Sequence, residues 1–103
     1  MAFIAADKTV SDIPTGTMML AQVGEKEVLL SNVDGKICAT TRLCPHASAS
    51  LVHGILDGSE LTCVSHGAVY DVISGELLDG PGEYGLFCYA LKMEGDEILV
   101  EVP

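Results

Sequence analysis

Thr17–Val23 (TMMLAQV), Glu27–Val33 (EVLLSNV) and Lys36–Thr41 (KICATT) follow one another, parted only by Gly24-Glu25-Lys26 and Asp34-Gly35. Each run is rich in aliphatic and β-branched residues, and each stops at a turn signal. Asp-Gly between two such runs is a strong hairpin signal, because a two-residue turn of matching twist needs positive φ at both positions. The three runs are therefore read as antiparallel strands joined by tight turns.

The same punctuation continues in both directions. Turn signals stand at Pro14-Thr15-Gly16, Asp57-Gly58, Ser74-Gly75, Gly80-Pro81-Gly82 and Glu94-Gly95-Asp96. Leu61–Val64, Ala68–Val72 and Glu76–Leu78 read as shorter strands, and Leu86–Met93 with Glu97–Val102 as a final hairpin. No segment sustains a 3.6-residue apolar period, so the expectation is an all-β fold, an antiparallel barrel or sandwich. The 103 residues fit a single domain, 1–103. The stretch from about 43 to 82 holds all three histidines and reads as a loop-rich insertion carrying a site on the β scaffold.

Composition narrows the function. Apolar residues make up 49% of the chain, which argues for a packed core. Five Lys plus Arg stand against fifteen Asp plus Glu, a net charge of −10. That charge argues against nucleic acid and anionic membranes as partners and favours basic protein surfaces. No apolar run approaches the roughly 18 residues of a membrane span. The start, MAFIAADKTVSDIP, lacks the basic and long apolar regions of a secretory signal, so a soluble, cytoplasmic protein is expected. In that setting the four cysteines, Cys38, Cys44, Cys63 and Cys88, point to metal binding or buried thiols rather than disulfides.

Two short motifs carry candidate chemistry: Cys44-Pro45-His46 and Cys63-Val64-Ser65-His66, with sixteen residues between His46 and Cys63. Each supplies one soft thiolate and one imidazole. Structural zinc sites of two Cys and two His usually keep the cysteines in one motif and the histidines in the other, and here each motif mixes them. Cys-x-His is tight for two ligands on one tetrahedral ion, and comfortable when Cys and His bind different metals. A thiol nucleophile would need one Cys–His pair, not two.

The arrangement C-x-H, a gap of sixteen, then C-x-x-H resembles the Rieske [2Fe–2S] signature. The flanking residues Ser50-Leu51, Gly54, Leu61-Thr62, Gly67, Tyr70-Asp71, Gly75 and Gly80-Pro81 match it too. The chain is most similar to the ferredoxins of bacterial multicomponent aromatic-ring oxygenases. This resemblance implies one [2Fe–2S] cluster, with Cys44 and Cys63 on the inner iron and His46 and His66 on the outer iron. It implies a Rieske domain with the cluster-binding subdomain inserted near 43–82. Gly67 would let the backbone pass a sulfide, and Gly80-Pro81-Gly82 would shield the cluster. The chain would carry single electrons from an NAD(P)H-dependent flavoprotein reductase to a terminal oxygenase of aromatic catabolism, without being an enzyme itself. A monomer is expected. Two thiolates and two neutral imidazoles leave the oxidised site uncharged, which raises its potential above that of a four-cysteine site.

The remaining candidates read as structural. His53 is expected on an exposed turn, and Cys38 and Cys88 as buried core thiols. Tyr70 reads as core. In the family an aromatic here packs under the cluster, and whether its hydroxyl reaches a ligand sulfur stays open. Respiratory Rieske domains add a cysteine to each ligand loop and a serine hydroxyl nearby. The matching positions here are Ala49, Ser65 and Ala68. These differences imply a potential near the low end of the roughly −150 to +300 mV Rieske range.

Overall fold

The computed structural model describes residues 2–45, 49–65, 67–80 and 84–102. These residues form three antiparallel sheets. The hairpin-rich stretch becomes β2 (Met18–Val23), β3 (Lys26–Val33) and β4 (Lys36–Thr40), taking β1 as Ala2–Thr9. Asp34 and Gly35 hold φ of 51° and 92°, the double positive φ that an Asp-Gly hairpin turn demands.

A small meander follows: β5 (Ile55–Asp57), β6 (Glu60–Thr62), β7 (Val69–Asp71) and β8 (Leu77–Asp79). The chain then returns as β9 (Cys88–Tyr89), β10 (Leu91–Glu94) and β11 (Glu97–Val102). The sheet orders are β1-β11-β10, β2-β3-β4-β9 and β5-β6-β7-β8.

Two differences from the sequence reading have physical reasons. Leu86–Met93 is not one strand. It breaks at Ala90, where the chain leaves β4 and joins β11, so β9 and β10 belong to different sheets. Ala2–Thr9 is an additional strand, largely exposed, whose place is set by pairing with β11 from Ala2↔Val102 to Ala5↔Leu99.

The continuous apolar run of β3 has a structural consequence. Val28 to Val33 are all buried, as expected for a strand covered on both faces. Val28 and Leu30 enter one core with Ile13, Ile98 and Val100. Leu29 and Val33 enter a second core with Leu51, Leu61, Tyr70, Cys44 and Cys63. Asn32, next to the buried Ser31, is a buried polar residue of this strand. Its Nδ2 donates to the Ile13 carbonyl at 2.7 Å, and its Oδ1 accepts from the Gly35 amide at 2.8 Å, so its burial is compensated.

Candidate metal centre

The two cysteine motifs sit in loops of equal length. The first is bounded by the Leu43↔Ser50 bridge and the second by the Thr62↔Val69 pair. In the first loop the Cys44 amide donates to the Ala49 carbonyl at 2.8 Å. In the second the Cys63 amide donates to the Ala68 carbonyl, also at 2.8 Å. Each cysteine thus leads a loop closed by the same backbone bond, which spends its amide on the loop and fixes the start of its side chain. The Gly67 amide adds a bond to the Cys63 carbonyl at 2.9 Å, and Gly67 holds φ of 78°, a conformation that favours glycine.

Both sulfurs belong to the second core, and each cysteine is only 1% exposed. Tyr70, fully buried on β7, follows directly from the second loop and reaches back to the first. Its hydroxyl lies 3.2 Å from Cys44 Sγ. This contact answers what the sequence left open about Tyr70. Burial first, and the hydrogen bond to Cys44 second, hold the phenol well above its ordinary pKa. The neutral phenol is therefore the donor whenever the sulfur is a thiolate.

The other side of the site is set by glycines. Gly80 holds φ of 88°, and a Cβ there would meet the Ala68 Cα at 2.8 Å. Gly75 and Gly85 cross at backbone contact: a Cβ on Gly85 would run into the Gly75 carbonyl, and one on Gly75 into the Leu86 carbonyl. The Leu86 amide donates to the Gly75 carbonyl at 2.7 Å. The chain on both sides of residues 81–83 is thereby pinned against the rest of the molecule. Sequence reasoning missed Gly85, because only the crossing, a tertiary feature, marks it.

Of the four expected ligands, Cys44 and Cys63 are brought into one core. His46 and His66 lie outside the described residues, as do Pro81 and Gly82 of the expected shielding loop. His53 is exposed at the end of the short turn Leu51–His53, as expected. Cys38 and Cys88 are free, and burial pushes both thiols up from their ordinary pKa. Cys38 is buried, but Cys88 is only half-buried, because β9 is the two-residue end of its sheet. That corrects the expectation of two core thiols.

The donor set fits an iron–sulfur cluster. Two thiols held in a dry core favour a soft metal centre whose charge they cancel, and the phenol supplies one donor to sulfur. Comparison with known proteins agrees. The Rieske [2Fe-2S] domain model matches residues 4–90. The ferredoxin component of a naphthalene 1,2-dioxygenase system of Pseudomonas aeruginosa is 34% identical over 91 residues, covering 88% of this chain and 88% of that protein. The ferredoxin component of an alkene monooxygenase system of Xanthobacter autotrophicus is 37% identical over 92 residues, 88% of this chain and 75% of that protein. Among solved structures, a ferredoxin in complex with the reduced oxygenase of carbazole 1,9a-dioxygenase superposes with a TM-score of 0.85 at 28% identity, covering 93% of this chain and 99% of that one.

Proposed function

The chain belongs to the Rieske [2Fe–2S] family and is an electron carrier bearing one such cluster, and on that premise we propose that Cys44, His46, Cys63 and His66 are its ligands. The observation that carries this reading is the pair of equal loops, each presenting a buried cysteine at the same position. His46 follows Cys44 by two residues and His66 follows Cys63 by three, so each loop offers one imidazole beyond its sulfur. Bound there, the cluster supplies a one-electron couple.

The protein's own groups do the rest. Cys44 and Cys63 anchor the inner side within the apolar core, and Tyr70 donates to one of these sulfurs. Electrons would leave through the imidazoles of His46 and His66, the first of which follows Pro45 in the chain. The whole chain, 1–103, acts as one Rieske domain whose cluster-binding subdomain spans about 43–82. It works as a cytoplasmic monomer, reduced by an NAD(P)H-dependent flavoprotein reductase. It passes electrons to a terminal oxygenase of aromatic catabolism. The naphthalene-system relative supports that partner. A second reading, service to an alkene monooxygenase, is favoured by the 37% identity to the Xanthobacter ferredoxin.

The test is turnover. Photoreduced holo protein is offered in turn to the terminal oxygenases of a naphthalene dioxygenase and of an alkene monooxygenase system. Reoxidation with product formation by the first is expected. Reoxidation by the second alone moves the protein to the alternative system, and reoxidation by neither contradicts the oxygenase role.

A further inference from the structure

Beside the first cysteine loop runs a groove of about 680 Å³ that the electron-carrier role leaves unused. One wall is the β2–β3 hairpin with Lys26 and Glu27, and the other is the segment Arg42, Leu43 and Pro45, with Tyr89 from β9. The second wall is rigid. The Leu51 amide donates to the Arg42 carbonyl at 2.9 Å, and the Thr41 amide to the Phe87 carbonyl at 3.0 Å.

The charges here differ from the chain's average. Two of the chain's five cations line this one groove. Arg42 Nε is held by Glu27 Oε1 at 3.3 Å, which orients the guanidinium while both side chains stay about 40% exposed (39% and 41%). Among the described residues no other ion pair involves Arg42, and none involves Lys26. Glu25 also lines the groove, so its formal charge is zero against −10 for the whole chain. A carboxylate approaching this groove meets less repulsion than the chain's net charge implies, and finds a Lys26 ammonium that no ion pair among the described residues engages, next to the apolar surfaces of Leu43 and Pro45.

We infer that this groove receives a carboxylate side chain of the terminal oxygenase and so fixes the rotation at which the two proteins dock. The inference rests on the proposed oxygenase role, since Pro45 of this groove stands in the chain between the proposed ligands Cys44 and His46. The acidic remainder of the chain draws in a basic partner at long range, and this locally neutral groove, with its unengaged ammonium, selects one orientation at contact. Lys26 and Arg42 are the specificity-determining residues.

The experiment compares two charge reversals of equal size. Lys26→Glu changes the groove. Lys92→Glu makes the same change on β10, outside it, at a side chain that is 59% exposed. Each holo variant is first shown to have the wild-type visible spectrum. The second-order rate of oxygenase reduction is then measured at low salt, together with the rate of reduction by the flavoprotein. Lys26→Glu is expected to slow oxygenase reduction about fivefold, as for loss of one exposed ion pair, with Lys92→Glu nearly unchanged. Arg42→Gln, which adds no negative charge, is expected to slow the same step. Equal rates for the Lys26 and Lys92 variants, or slowing confined to the flavoprotein step, overturn the inference. Wild-type protein that reduces no oxygenase overturns the proposed role together with it.

Discussion

The two cores that share β3 are built for different purposes. The first, around Ile13, Val28, Leu30, Ile98 and Val100, consists of apolar side chains and is walled by strands as long as eight residues. The second packs Leu29, Leu51, Leu61 and Val72 around Cys44, Cys63 and Tyr70. Its own sheet is made of four strands of three residues each. Such short strands bury little surface and hold few ladder bonds, so they need support from outside. One support is the β3 wall, and the other is metal ligation, whose binding energy is folding energy. The difference teaches that stability and chemistry are divided between two sides of one strand.

The comparison breaks most visibly at the proposed ligands. Cys44→Ser or Cys63→Ser is expected to abolish the cluster outright, because an alcohol is a poor substitute for a thiolate. The visible spectrum reads this, and a normal spectrum from either variant removes that cysteine from the ligand set. Iron removal sharpens the same point by region. In hydrogen exchange, apo protein is expected to lose protection across β5 to β8 while β2 and β3 keep theirs. Uniform loss would mean that the two cores fold as one unit.

A cavity in the first core tests the division from the other side. Ile98→Ala is expected to cost about 2–5 kcal/mol of stability in chemical denaturation while the midpoint potential stays in place. A shifted potential would show the cores to be coupled. The smallest effect concerns Tyr70. Its hydrogen bond to Cys44 Sγ stabilises the more negative, reduced state. Losing about 1 kcal/mol of such a bond lowers a one-electron potential by roughly 40 mV. Voltammetry of Tyr70→Phe is expected to show a decrease of that order, and an unchanged midpoint would remove Tyr70 from the tuning of the site.

What the sequence made legible was local. The Asp34-Gly35 turn was readable because two adjacent residues determine it. The cysteine motifs were readable because ligand spacing lies along the chain. Ala2–Thr9 was not, since its opening run Ala2-Phe3-Ile4-Ala5-Ala6 has no alternation and only β11 makes it a strand. The break at Ala90 was hidden for the same reason: β9 and β10 read as one run until their partners separate them. The contact between Tyr70 and Cys44 spans 26 residues, and the crossing of Gly75 with Gly85 depends on two loops meeting. Such features arise from packing and leave no periodic trace in the sequence.

The most direct test of the account is the nitrogen coupling of the reduced cluster. Pulsed EPR of reduced holo protein, labelled with ¹⁵N-histidine, reads how many imidazole nitrogens are bound to iron. Mixed ligation by Cys44, His46, Cys63 and His66 predicts two coordinated histidine nitrogens, one lost in each of His46→Cys and His66→Cys where a cluster still assembles. A reduced cluster with no strongly coupled histidine nitrogen would contradict it.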